Sequence, residues 1–358
     1  MNYSSRFATT VTFALYTCLL SLFFVACSKN NGGNTTLPVT PTPTPTPTPT
    51  ATFVKGADVS WITEMEANGI KFYNSAGTQQ EGMALLQSLG MNTIRLRVWV
   101  NPSNSYNASA DVVAKAVRAK NLGLRVMIDF HYSDTWADPG NQTTPAAWAS
   151  QDINGLKTSV ASHTTAVLTA LRDNGVTPEW VQIGNETNDG MLWPLGKAST
   201  NMANFAALIN AGYDAAKAVF ANIKVVVHLS NGYDNSLYRW LFDGLKNNGG
   251  KYDVIGMSLY PTASTWATYN SQCLVNMNDM VARYGKEVMV VEVGMPWDGA
   301  ADCKSFISDL ITKMQTVSNS KGLGVMYWEP LAYNSWKGYT LGAFDNSGKP
   351  TIALAAFQ

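Results

Sequence analysis

From residue 52 to the C-terminus, short runs rich in apolar and β-branched residues alternate with longer stretches of helical spacing. This rhythm is the strongest constraint on the fold. The runs fall at 53–59, 93–98, 124–130, 180–183, 224–228, 253–257, 288–291 and 324–327. The clearest helical stretches lie at 81–89, 112–120, 156–174, 202–220, 236–245, 275–284 and 305–317. Strand and helix in alternation call for parallel strands joined by crossover helices. Eight such units predict one α/β domain, a (β/α)8 TIM barrel with some enlarged loops. The rival is a doubly wound open sheet, which usually carries a glycine-rich turn after its first strand. Neither GxGxxG nor GxxxxGK[ST] occurs in the chain.

Polar and aromatic residues cluster where these runs end: Arg97 and Trp99, His131 and Asp134, Asn185 and Glu186, His228, Tyr260, Glu292, Trp328 and Glu329. A closed barrel gathers all such positions at its C-terminal mouth, where active sites of this architecture lie. Charge adds an exclusion. With 25 basic and 25 acidic side chains the formal net charge is zero, so no global field exists to hold a polyanion, and nucleic acid is not an expected partner.

The N-terminus has a separate character. Residues 1–26 combine a basic start, Arg6, with a charge-free apolar run from Val11 to Ala26. That run is too short for a stable span and is predicted to be an export signal. It ends in Val25-Ala26-Cys27, a cysteine placed where a lipoprotein signal is cut, so lipidation at Cys27 is expected, the alternative being an ordinary secretory signal. Residues 27–51 then form a polar and Pro-Thr stalk. Its alternating segment from Pro41 to Thr50 reaches roughly 30 Å at about 3.1 Å per residue. The expectation is a lipid-anchored protein of a bacterial envelope, on the outer-membrane cell surface, with a monomeric catalytic domain at 52–358. Cys273 and Cys303, the cysteines left in the domain, can pair as a disulfide in an exported protein.

Two glutamates stand out for chemistry. Trp180-Val-Gln-Ile-Gly-Asn-Glu186 and Val288-Met-Val-Val-Glu292 each bring a carboxyl to the end of a run, the fourth and the seventh. In a barrel these carboxyls can converge on one groove, and two carboxyls flanking a bond are what glycoside hydrolysis requires. The bland alternative, two buried ion pairs, needs more basic partners than this mouth offers. Arg95 and Arg97 alternate with apolar neighbours and share one side of the second run. Arg97, nearer the top, is expected to grip a glutamate, and Arg95 to lie under the helices bonded to carbonyls. His131 is as consistent with a hydrogen-bonded core residue as with a ligand. His131, His163 and His228 are the only histidines, and no HxH or HExxH spacing occurs, so neither a metal nor another cofactor is expected. A serine-hydrolase triad lacks its GxSxG turn. Trp61, Trp99, Trp136, Trp193, Trp297 and Trp328 fall near strand ends or loops, and several aromatic faces together suit a carbohydrate groove.

Arg95-Leu-Arg97-Val-Trp-Val-Asn-Pro102, His131-Tyr-Ser-Asp-Thr-Trp-Ala-Asp-Pro139, Gly184-Asn-Glu186 with Leu192-Trp-Pro-Leu-Gly196, and Tyr327-Trp-Glu-Pro330 together resemble the arabinogalactan endo-β-1,4-galactanases of glycoside hydrolase family 53. The resemblance implies a retaining endo-hydrolase of β-1,4-galactan, the side chains of type I arabinogalactan and pectin. It implies Glu186 as acid/base, Glu292 as nucleophile, Asn185 at the sugar 2-hydroxyl, and Arg97 and His131 in support. Asp134, Trp136, His228, Tyr260, Trp297 and Trp328 transfer to the substrate groove. Val293-Gly-Met-Pro-Trp297 departs from the family pattern, and the loop after Trp328 is compact, without the acidic cluster a structural calcium would need. Two alternatives stay open: a related retaining enzyme acting on mannan, xylan or β-glucan, and a surface lipoprotein that binds galactan without cutting it.

Overall fold

The structure, a computed structural model, describes residues 52–358. The signal, Cys27 and the Pro-Thr stalk lie outside the described residues. Eight parallel strands close into a barrel: β1 (Val54–Asp58), β2 (Thr93–Val98), β3 (Arg125–Phe130), β4 (Trp180–Ile183), β5 (Lys224–Leu229), β6 (Val254–Leu259), β7 (Glu287–Val293) and β8 (Gly322–Trp328). The ring closes where β1 pairs with β8, Val54 beside Gly324 and Asp58 beside Trp328. Helices α1 (Ile62–Ala67) and α2 (Gly82–Ser88) both follow β1, and α3 (Ser109–Asn121), α4 (Ile153–Asp173), α5 (Ala198–Val219), α6 (Asn235–Asn247), α7 (Trp266–Tyr284) and α8 (Ala300–Gln315) follow β2 to β7 in turn, while β8 is followed by short 3-10 turns, the last at Ile352–Phe357. A (β/α)8 barrel is the predicted architecture, and its strands fall within a few residues of the eight apolar runs.

The helices differ more from expectation, because their first turns carry little apolar periodicity. Helix α7 begins at Trp266, nine residues before the expected 275. In its first half the inward position is held by Asn270, fully buried, whose amide donates to the Phe306 carbonyl at 3.0 Å. A polar residue that satisfies a neighbouring helix is invisible to a search for apolar spacing. Three helix starts are fixed by side-chain caps, Glu81 on the amide of Ala84, Asp152 on Gly155 and Asp234 on Leu237. The six-residue α1 and a two-stranded hairpin, Phe72–Tyr73 with Gln79–Gln80, are too short to announce themselves in sequence.

The barrel lumen is layered. Val54, Met127, Trp180, Val226, Val254, Met289, Val291 and Met326 form an apolar plug at its lower end. Two residues further along four of the strands the lumen turns polar, with Asp58 after Gly56, Asp129 after Met127, Gln182 after Trp180 and His228 after Val226, all fully buried. Side chains two apart on a strand share a face, so the apolar plug and the polar layer are one alternation read upward. Strand β7 breaks that alternation. Met257 of β6 pairs with Val290 but the next residue, Ser258, pairs with Glu292, so β7 bulges by one residue. With Met289 and Val291 in the plug, regular pleating would turn Glu292 outward; the bulge returns it to the lumen.

Candidate active site

Arg95 occupies the centre of the polar layer. Its Nη1 lies 2.8 Å from Asp58 Oδ2 and 2.8 Å from Glu292 Oε1, and its Nη2 lies 2.9 Å from Asp129 Oδ2. The same Nη2 donates to Gln182 Oε1 at 2.9 Å and to Asn185 Oδ1 at 3.1 Å. Burial alone would lower the guanidinium pKa, but Asp129, Glu292 and Asp58 more than offset it and raise it. In return Arg95 holds the buried Asp129 below the usual carboxylate range, against the upward push of burial. The expectation placed on the two arginines is therefore reversed. Arg95 grips the cleft glutamate from inside the lumen, not the helix layer. Arg97, one turn of the pleat higher, reaches Glu329 at 3.7 Å and stacks under Trp136 at 4.2 Å, touching neither Glu186 nor Glu292.

Glu292 is 5% exposed, and its second oxygen accepts a hydrogen bond from the Tyr260 hydroxyl at 2.8 Å. Glu186 approaches from β4 through a sharp turn. Gly184 has φ of +82°, and a Cβ there would meet Thr187 Cγ2 at 2.6 Å, so only glycine fits. Glu186 itself has φ of +44°, an uncommon conformation for a residue with a side chain, of the kind that clusters at functional sites. Asn185 is clamped between them: Oδ1 accepts from Arg95 and from Gln182 Nε2 at 3.0 Å, and Nδ2 donates to the Ala137 carbonyl at 2.9 Å. Glu186 and Glu292 line one open cleft of about 240 Å³ with His131, Trp136, Ala137, Asp138, Asn185, Tyr260 and Trp328.

The two carboxyls titrate as a pair. Burial raises Glu186 to about 7, with the Ser258 hydroxyl and Arg95 opposing. Burial also raises Glu292, opposed by Arg95 and reinforced by Glu186. When one proton is shared, it settles where donors are fewest. Glu292 already receives a guanidinium and a phenol, so the proton belongs on Glu186 and the charge on Glu292.

The other residues singled out in the sequence distribute unevenly. His131 lines the cleft with Nδ1 accepting from the Ala137 amide at 3.2 Å. Its Nε2 lies 3.0 Å from Asp129 Oδ2, which makes it a neutral ring that donates to Asp129. Trp136 and Trp328 form cleft walls. Trp136 also borders a second cleft of about 410 Å³ lined by Trp99, Asn101, Asn104, Asp134 and Lys337. Asp134 reaches that cleft while its carboxylate accepts from the amides of Asn101 and Ala146, both at 2.9 Å, and so ties two loops together. Trp61 is 4% exposed and packs edge-on against Trp136 and Trp328, a support for the walls. Trp193 lines a different surface hollow with Leu195, and Trp297 is absent from the glutamate cleft. His228 does not line the groove either. It is fully buried beneath the cleft floor, bonded to Ser258 at 2.6 Å, because β5 ends with its side chain pointing into the lumen. Cys273 and Cys303 are buried free thiols. Cys273 faces Met257 and Cys303 faces the Tyr327 hydroxyl, so the disulfide expectation is not met in this structure. Sequence reasoning missed Asp58, Asp129, Gln182 and Ser258. Their one sequence signal was a polar residue at the lumen-facing phase of an otherwise apolar strand.

A closed (β/α)8 barrel with two cleft glutamates, at the ends of its fourth and seventh strands, defines the class of barrel glycoside hydrolases. The chain matches the model of glycosyl hydrolase family 53 over residues 54–305 and belongs to that family. It is 37% identical over 330 residues to a protein of Humicola insolens named arabinogalactan endo-β-1,4-galactanase, covering 85% of this chain and 98% of that one. It is 37% identical over 299 residues to a probable arabinogalactan endo-β-1,4-galactanase A of Neosartorya fischeri, covering 77% and 83%. Among solved structures, a fungal β-1,4-galactanase superposes with a TM-score of 0.79 at 32% identity, covering 85% of this chain and 98% of that one.

Proposed function

We propose that this chain is an endo-acting β-1,4-galactanase that retains anomeric configuration, with Glu292 as nucleophile and Glu186 as acid/base. The observation that carries the assignment is the asymmetry of the pair: Arg95 and Tyr260 both donate to Glu292, and neither donates to Glu186. In the first step the Glu292 carboxylate attacks the anomeric carbon and the C–O bond to the leaving sugar breaks. Glu186 gives its proton to that oxygen. In the second step Glu186, now anionic, takes a proton from water as the water displaces Glu292, which restores both groups. Asn185, with its amide fixed by Arg95, Gln182 and Ala137, is placed to meet a hydroxyl beside the reacting carbon. Trp136 and Trp328 offer apolar faces to the sugar rings.

The names of the relatives support galactan as substrate, since the carboxylate pair by itself serves any retaining glycanase. Reducing-end release from linear galactan, mannan, xylan and β-glucan is the measurement. Galactan is expected to be cut fastest, and a preference for mannan or xylan would favour the related activity instead. No release from any of them would favour the binding protein. Glu186→Gln and Glu292→Gln should each lose at least about a thousandfold in kcat on galactan, as expected for groups that act only in the transition state. Near-normal turnover by either variant rejects its role. Proton NMR of the first product should show the β-anomer before mutarotation.

A further inference from the structure

Arg97 is a charged group that the two-glutamate cycle leaves without a task. It is fully buried on β2, and its backbone amide donates to the Ser60 hydroxyl at 2.8 Å. Among the described residues, none of its three guanidinium nitrogens has a hydrogen-bond partner, and a Glu329 oxygen stands off at 3.7 Å. Burial and the neighbouring Asp58 push the Glu329 carboxyl well above the usual carboxylate range, which weakens that pairing. What encloses the guanidinium instead is aromatic. Its carbon lies 4.2 Å from the ring centroid of Trp136, 5.0 Å from that of Trp99 and 5.8 Å from that of Trp61. Trp99 and Trp61 in turn pack edge-on with Trp136, at centroid distances of 5.3 and 5.8 Å. A guanidinium is planar and weakly hydrated, so it settles among ring faces where an ammonium would demand water. Trp136 is also the residue shared by the linings of the glutamate cleft and of the larger cleft beside it.

We infer that Arg97 is a positioning residue that holds Trp136, the ring between the two clefts, through cation–π contact, and so sets affinity for the sugar chain rather than the rate of bond cleavage. The role rests on the proposed function, in which Trp136 faces sugar. A large ring at the mouth of a cleft can turn about its side-chain bonds. A buried charge against it, with Trp61 and Trp99 packed beside it, removes that freedom before the substrate arrives. Arg97 touches neither Glu186 nor Glu292, so its replacement leaves the reacting groups in place; Arg95, two residues earlier on the same face, grips Glu292. A sugar stacked on Trp136 meets the ring equally in the ground and transition states, so a loosened ring raises KM with little change in kcat. The rival role, charge compensation for Glu329, requires only that some cation stand at position 97.

The measurement is a set of KM and kcat values on the polysaccharide that the parent enzyme cuts fastest. Arg97→Lys keeps the charge but not the planar stack, and KM should rise roughly tenfold. Its kcat should stay within about threefold of the parent. Arg97→Met should behave alike, since it leaves a Glu329 that burial already favours as neutral; it decides the matter if Arg97→Lys does not fold. Trp136→Ala should raise KM at least as far, and adding Arg97→Lys to it should raise KM no further, because the partner is gone. If the parent cuts none of galactan, mannan, xylan and β-glucan, the same comparison is made on the dissociation constant for linear galactan by isothermal titration calorimetry. Failure of the proposed chemistry shows elsewhere, in normal turnover by Glu186→Gln or Glu292→Gln. A Lys variant with parental affinity, a fall in kcat larger than the rise in KM, or effects of Arg97→Lys and Trp136→Ala that add in full overturns the inference.

Discussion

At the scale of single residues, one guanidinium organises the site. Arg95 is fully buried and shares three carboxylates, those of Asp58, Asp129 and Glu292, and it also fixes Gln182 and Asn185. Removing a charge from such a network leaves the partners unpaired in a dry interior, which costs about 3–5 kcal/mol. Arg95→Met should therefore lower the unfolding midpoint measurably in a denaturant titration. It should also reduce kcat on galactan by at least about a hundredfold, because Glu292 would lose the donor that holds its charge. Full activity with unchanged stability would remove Arg95 from the centre of this account. The pair also shows what alternation in a sequence can and cannot say. That Arg95 and Arg97 share a side was legible, since side chains two apart lie on one face of a strand. Which of them meets the glutamate was not, because that depends on how far up the lumen the opposite strands place their carboxyls.

At the scale of elements, two irregularities aim the chemistry. The turn after β4 needs Gly184 at φ +82°, with Thr187 and Met191 filling the space a side chain would take. Gly184→Ala is expected to destabilise the fold by about 1–2 kcal/mol. It should also displace Asn185 and Glu186 enough to cut kcat/KM on galactan by about a hundredfold, the usual scale for a small misplacement of reacting groups. An alanine variant with parental kinetics would show the turn to be tolerant. The bulge in β7 acts on Glu292 in the same way, returning to the lumen a side chain that plain pleating turns outward. Neither feature is an element in the usual sense, and both decide where a carboxyl points. The strands themselves were readable because each is a short apolar run. The bulge was not, since an extra residue has no signature until the strand is paired with its neighbours.

At the scale of the molecule, the described residues form a barrel whose cleft lies at the C-terminal ends of the strands, lined from β3, β4, β6, β7 and β8 and the loops after them. The proposed lipid anchor belongs to this scale. Cys27→Ser, expressed in a bacterium with its full leader, should release the enzyme from the membrane fraction with its specific activity on galactan unchanged. Membrane association that survives the substitution would exclude lipidation at Cys27. The free thiols of Cys273 and Cys303 sit in separate buried settings, one against Met257 and the other against the Tyr327 hydroxyl, and burial pushes the Cys273 thiol up to about 12. Their 30-residue spacing in the chain said nothing about whether the two sulfurs face each other.

The sequence by itself determined the eight-unit barrel, the two glutamates at the ends of their strands and the family-specific strings around them. Each of these is written in local order: hydrophobic period, strand-end position, contiguous residues. Only the tertiary structure decided that Arg95 and not Arg97 holds Glu292, that His228 lies beneath the floor, and that Ser258 bonds to it there. Those facts depend on the register of strands distant in the chain, on a one-residue bulge, and on the depth at which side chains from opposite walls meet. Interactions between charges in a buried layer vary steeply with distances of an ångström, and no pattern along one strand encodes them.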